Sequence, residues 1–146
     1  MRHLLKSLGT ATILAIAAGQ LHAEKSLVRS NAAGWVISGT NRSVLVNRTN
    51  LSISVKAGPV TWQTLDSGPE DITFKSGGAV FKRSLKEASH IDFTAVGSGY
   101  SDGLRIRLSG FSNEGKQIDA VLDLTVSLEQ GMGEMICEAS VLKHTE

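Results

Sequence analysis

The stretch Leu104–Leu128, LRIRLSGFSNEGKQIDAVLDLTVSL, constrains the fold more than any other part of the chain. Leu104, Ile106 and Leu108 alternate with Arg105 and Arg107. Beyond the polar SNEGK, Ile118, Ala120, Leu122, Leu124, Val126 and Leu128 alternate with residues that include Asp119, Asp123 and Ser127. Side chains of a strand point to opposite faces in turn, so period two on both sides of a Gly-containing turn predicts a β-hairpin with one apolar and one charged face. Pairing about Glu114 sets Leu104, Ile106 and Leu108 against Leu124, Leu122 and Ala120, with Arg105 opposite Asp123 and Arg107 opposite Val121. A slip of two residues pairs Arg107 with Asp119 instead, and either register keeps the two faces distinct. An isolated hairpin is marginal in water, so the rest of the chain must supply a second layer for its apolar side.

The remaining apolar alternations are short: Trp35–Ser38, Val44–Asn47, Leu51–Lys56, Val60–Leu65, Ile72–Phe74, Ala79–Lys82, Ile91–Val96 and Met135–Leu142. Turn chemistry separates them, notably Gly39-Thr40-Asn41, Asn47–Asn50, Gly58-Pro59, Ser67-Gly68-Pro69 and Ser76-Gly77-Gly78. The pattern predicts an all-β antiparallel sandwich of about 8–10 short strands, with at most one helical turn, in Lys82–His90. Glu24–Ala33 reads as a loose start. In Val60–Leu65, Val60 and Trp62 share one face, so Trp62 is expected inward as a core filler. Trp35, in AGWVISG, suits either the core or a surface platform. Cys137 alternates with Met135, Ala139 and Val141, which predicts a buried thiol acting as a small hydrophobe.

Residues 1–23 read as an export leader: Arg2, His3 and Lys6 give a positive start, Leu8–Ala18 is an uncharged apolar run broken only by small and hydroxyl residues, and Leu21-His22-Ala23 is a tolerable cleavage site. The apolar run is shorter than the roughly 20 residues that cross a bilayer. Cleavage after Ala23 takes 23 of the 146 residues and leaves 123, enough for one domain with one core. Residues 24–146 are therefore expected to be one β-sandwich domain, either free-standing or the amino-terminal part of a larger module, in the periplasm or outside the cell. The leader removes two of 15 basic residues and none of 14 acidic ones, so the exported chain carries a net charge of −1. With no basic run and no aromatic-interleaved patch, nucleic-acid binding is set aside. The single cysteine, Cys137, forms no internal bridge and lies far from the leader, which excludes a lipid anchor on a cysteine after the cleavage site.

No Gly-x-Ser-x-Gly, HExxH, phosphate-loop or dinucleotide pattern is present, and neither catalytic residues nor a cofactor are assigned. Asp119 and Asp123, with arginines across the strand, should stay ionised, which does not suit a general acid. His90 and Asp92 share a strand face but lack a third ligand at readable spacing, so no metal is assigned. Asn41-Arg42-Ser43, Asn47-Arg48-Thr49 and Asn50-Leu51-Ser52 match the glycosylation triplet and, behind a bacterial-type leader, read as polar turns. Sugars are held by Arg, Asp, Asn and Gln hydrogen bonds beside an aromatic ring. Arg105, Arg107, Asp119 and Asp123 offer the first part, and Trp35 or Tyr100, in GSGYSDG, could offer the ring. The plain alternative is a charge-paired outer face stabilised by about 0.2–1 kcal/mol per cross-strand pair.

The order of NLSISVKAGPVTWQTLDSGPEDITF, then LRIRLSGF and AVLDLTVSLEQG, resembles the opening β-sandwich of secreted carbohydrate-active enzymes with a galactose-mutarotase-like supersandwich. The resemblance covers about Val44–Leu128 and implies a noncatalytic module beside glycan chemistry. It carries over no catalytic residue, because such families place their acids in a larger partner domain. Three functions follow as expectations: an exported module that binds or accompanies polysaccharide; an envelope structural or interaction protein that pairs through a strand edge; and a small glycan-active hydrolase or lyase using His90 and Asp92. If the chain is a piece of a longer module, an open sheet edge should favour self-association. When the full chain is produced in a bacterium, intact mass of the exported protein should place its first residue at Glu24; exported protein retaining Met1 would refute cleavage.

Overall fold

The computed structural model describes residues 27–76 and 78–144. The leader, its cleavage site and residues 24–26 lie outside the described residues. The ten apolar runs all become strands, and the helical turn lies where expected, a 3-10 turn at Leu85–Glu87. The first sheet is a five-stranded antiparallel meander of β1 (Leu27–Ser30), β2 (Gly34–Ser38), β3 (Arg42–Asn47), β4 (Ile53–Ala57) and β5 (Val60–Gln63). Next comes a hairpin of β6 (Ile72–Ser76) and β7 (Ala79–Arg83). The second sheet contains β8 (His90–Gly97), β9 (Ser101–Ser109), β12 (Ala120–Glu129) and β13 (Met135–His144), in spatial order β13-β12-β9-β8. Between β9 and β12 stands a small hairpin, β10 (Ser112–Asn113) and β11 (Lys116–Gln117). The expected loose start thus forms β1 from Leu27 onward, where Val28 and Arg29 pair with Ile37 and Val36.

The two sheets meet through their alternating inner sides. Ile37, Val44 and Val46 pack with Leu104, Ile106, Leu108, Leu122, Val126 and Leu128, all nearly inaccessible to solvent. Such side chains each contribute roughly 1.5–3 kcal/mol when fully buried. Phe74 closes one end, with its ring 5.3 Å from Phe111 and 5.5 Å from Phe81. Buried polar groups near that end bond to one another. Ser67 Oγ lies 2.6 Å from both Asp71 Oδ2 and Ser84 Oγ and accepts the Lys86 N–H at 3.2 Å. With one hydroxyl proton per serine, Ser67 donates to the carboxylate and Ser84 donates to Ser67.

Three expectations are corrected. The hairpin register is neither of the two read from the sequence: Leu122 pairs with Leu108, Leu124 with Ile106, and Arg107 with Asp123. The cause is the connection, which folds as its own hairpin around Glu114 (φ 50°) and Gly115 (φ 77°) and buries Phe111, moving the pairing two residues beyond the Glu114-centred one. Trp62 lies on the same face as Val55 and Val44, yet it is 58 % exposed, because β5 is an edge strand that the second sheet does not cover. Cys137 is exposed for the same reason at the edge strand β13, although the flanking side chains still desolvate its thiol and push its pKa up. Leu51 also differs, with φ 58° in the turn before β4 although its side chain still reaches the core.

Ile106 and Val141 share one face of the second sheet but are 2 % and 65 % exposed. In urea denaturation, Ile106→Ala should therefore lower stability by about 2–5 kcal/mol, and Val141→Ala by no more than about 0.5 kcal/mol. Equal losses would mean that β13 is covered after all.

Candidate ligand-binding face

The outer side of the second sheet is a polar lattice set by strand pairing. Asp92, Arg107, Asp123 and Ser140 are cross-strand partners in one row over β8, β9, β12 and β13. Thr94, Arg105, Thr125 and Glu138 form the next row. Two-residue periodicity sends these side chains away from the core that their neighbours fill.

Asp123 holds the centre. Arg107 donates Nε–H to Oδ1 and an Nη2 proton to Oδ2, both at 2.8 Å, a bidentate fork that suits guanidinium and carboxylate geometry. These hydrogen bonds, with the charges of Arg107 and Arg105, hold the Asp123 carboxyl below its ordinary pKa, against the opposing effect of its burial. Arg107 is correspondingly raised, first by the Asp123 hydrogen bonds and then by the Asp123 charge, with a smaller contribution from Asp92. Arg105 is different: its Nε is 3.9 Å from Asp123 Oδ2, too far for a hydrogen bond, so the contact is a loose ion pair.

The other candidate residues stand apart from this face. Trp35 is half-buried on the inner side of β2, where its ring stacks on Phe93 of β8 at 6.1 Å, and its buried indole Nε1 has no hydrogen-bond partner among the described residues. It is thus core at the sandwich's rim, not a platform beside the arginines. Asp119 precedes β12 and pairs with Lys143 at 2.7 Å, not with Arg107. Tyr100, 80 % exposed in the turn between β8 and β9, accepts the Gln130 N–H on its carbonyl at 2.7 Å. That contact places it beside a cleft of about 220 Å³ lined by Thr40, Asn41, Arg42, Glu129, Gln130 and Met132. Arg42 Nη1 donates to the Gly133 carbonyl across this cleft.

The sequence reading missed Asp92 and Ser140 as members of the central row. Asp92 was legible on the correct face of its strand, but a row needs the register. His90 hydrogen-bonds Ser89 through Nδ1, and no group of three His, Cys, Asp or Glu side chains is placed to hold a metal among the described residues. No helix among them is long and apolar enough to cross a membrane.

No family model matches the sequence, and no curated protein does. In three dimensions the chain is similar to the α-N-acetylgalactosaminidase NagBb of Bifidobacterium bifidum, solved as its GalNAc complex. The TM-score is 0.62 at 19 % identity, over 76 % of this chain and 17 % of that one. The chain thus corresponds to less than a fifth of that enzyme's length, and the likeness establishes the fold. The sandwich resemblance read from the sequence, to carbohydrate-active enzymes, is met in a carbohydrate-active enzyme.

Because folding lowers the Asp123 pKa, its contribution to stability is present above the unfolded value of roughly 3.9 and is lost as pH falls through the folded value. Arg107→Ala leaves that buried carboxylate without its fork. The stability gap between wild type and Arg107→Ala should be wide at neutral pH and close on acidification below about pH 4; a gap that does not change with pH would refute this role.

Proposed function

We propose that the chain is an exported, noncatalytic β-sandwich module that binds or accompanies polysaccharide, with the outer face of β8, β9, β12 and β13 as its ligand surface. The observation that carries this reading is the likeness of most of the chain to part of an enzyme solved with GalNAc bound. The leader-like residues 1–23 support export. The face supports the chemistry: Arg107 and Asp123 satisfy each other, whereas Arg105 has no short bond to Asp123 and shares a cross-strand row with Thr94, Thr125 and, one strand further on, Glu138. A guanidinium flanked by hydroxyls and a carboxylate matches the alternating donors and acceptors of a sugar. Tyr100 stands apart from these rows, in the turn that precedes β9, and offers an exposed ring at that end of the sheet. Rows that run over four strands suit an extended chain better than a single sugar.

The test is retention on a polysaccharide panel that includes GalNAc-containing glycans. Wild type should be retained, Arg105→Ala should weaken retention about tenfold, consistent with loss of one charged hydrogen-bonding group, and its thermal midpoint should fall only slightly, by the loose ion pair to Asp123. No retention on any glycan, or retention indifferent to both Arg105→Ala and Tyr100→Ala, would remove the reading.

A further inference from the structure

β13 is unlike the other strand edges. Every position from Glu134 to Lys143 is exposed, and the inner side of β13 carries Met135, Cys137, Ala139 and Val141. β12 pairs along one edge, and no strand among the described residues pairs along the other. β1 and β5 offer four residues each, while β8 offers eight with Ile91, Phe93 and Val96 half-buried. A long exposed apolar edge is a template for another strand.

The charges on β13 choose that strand. Leu142 is the extra residue of a bulge, since Leu122 pairs with Val141 and Val121 with Lys143. Glu138, Ser140 and Lys143 are therefore successive outward positions, with Ser140 at their midpoint. We infer that β13 pairs antiparallel with β13 of a second copy around a two-fold axis at Ser140. Each Glu138 then faces the partner's Lys143, and Ala139 faces the partner's Val141. Sliding by one pair in either direction separates Glu138 from the partner's Lys143, and centring the axis on Glu138 sets two carboxylates against each other, so one register is favoured. Lys143 already meets Asp119 at 2.7 Å, and its three N–H donors can serve both carboxylates. The interface is isologous, the commonest form of dimer. Through it the row Asp92, Arg107, Asp123, Ser140 continues into its symmetric copy, giving one eight-stranded sheet with a continuous polar face. The dimer does not depend on what that face binds.

Light scattering on the purified protein over a concentration series, with circular dichroism as the folding control, tests the inference. Wild type should be a dimer, Glu138→Lys should dissociate about tenfold or more readily, and the double variant Glu138→Lys/Lys143→Glu, which reverses both signs, should restore the dimer. The register has its own readout. At the axis, opposed Cα atoms lie about 4.5–5.5 Å apart, within disulfide reach. Ser140→Cys in a Cys137→Ser background should thus form a reducible dimer in air. The two native Cys137 thiols would sit roughly 20 Å apart along the strands and should not bridge. A monomer at every concentration, or a dimer insensitive to Glu138→Lys, or one cross-linked through Cys137, overturns the proposal.

Discussion

The Arg107–Asp123 fork holds in place what leucine alternation leaves open. Shifting β9 against β12 by two residues leaves every apolar side chain inside and every polar one outside, so burial alone scores such registers nearly alike. The charged face offers Asp123 an arginine in either register, so the connection selects the register and the Arg107 fork then holds it. In the register centred on Glu114, Asp123 would oppose Arg105 and Arg107 would oppose Val121; in the observed one Asp123 receives both arms of Arg107 and sits 8 % exposed. A carboxylate that deep needs its partner, since an unpaired buried charge costs far more than a lost surface contact. The core on one side and the polar rows on the other inherit their positions from that pairing.

Covalent connection works in the same direction. The chain between β9 and β12 buries Phe111 under Phe74 and turns through Glu114 and Gly115. Gly103 fixes the other end, because a Cβ there would lie 2.5 Å from the Val126 carbonyl oxygen and 2.6 Å from the Ser127 Cβ. Neither device belongs to the alternating pattern, yet each resists a slip.

What was legible in the sequence follows from this physics. Period two reports which face a side chain takes, so the inner leucines of β9 and β12, the outward Arg105, Arg107 and Asp123, and the ten strand-forming runs could all be read from residue order. Whether a face is covered depends on how far the opposite sheet extends, which no local pattern records. Trp62 and Cys137 were placed on the correct faces of their strands but lie at edges where the covering layer ends. Trp35 was open between core and platform, and only its stacking on Phe93 places it at the rim of the core. The cleft between the β2–β3 and β12–β13 turns joins residues some ninety positions apart, with Arg42 bonded to Gly133, and such a pairing leaves no trace in either segment alone.

The mismatch between the sheets also bears on how the outer face could work. Stability is concentrated in the central strands, where Leu104, Ile106, Leu108 and Val126 meet Ile37, Val44 and Val46, while the flanking strands add backbone pairing with little apolar burial. The polar rows run across both regions, from Asp92 on one edge to Ser140 on the other. Their middle is rigid, because the Arg107–Asp123 fork is fixed to the best-buried strands. A ligand meeting that middle loses little side-chain entropy, which is where preorganisation favours binding. The Asp92 end lies on β8, at the margin of the sheet, where strands open more readily and neighbouring groups can adjust. On the reading proposed above, a face fixed at its centre and adaptable at its margin would suit an extended, repetitive molecule, each unit of which presents similar hydroxyls to successive cross-strand rows.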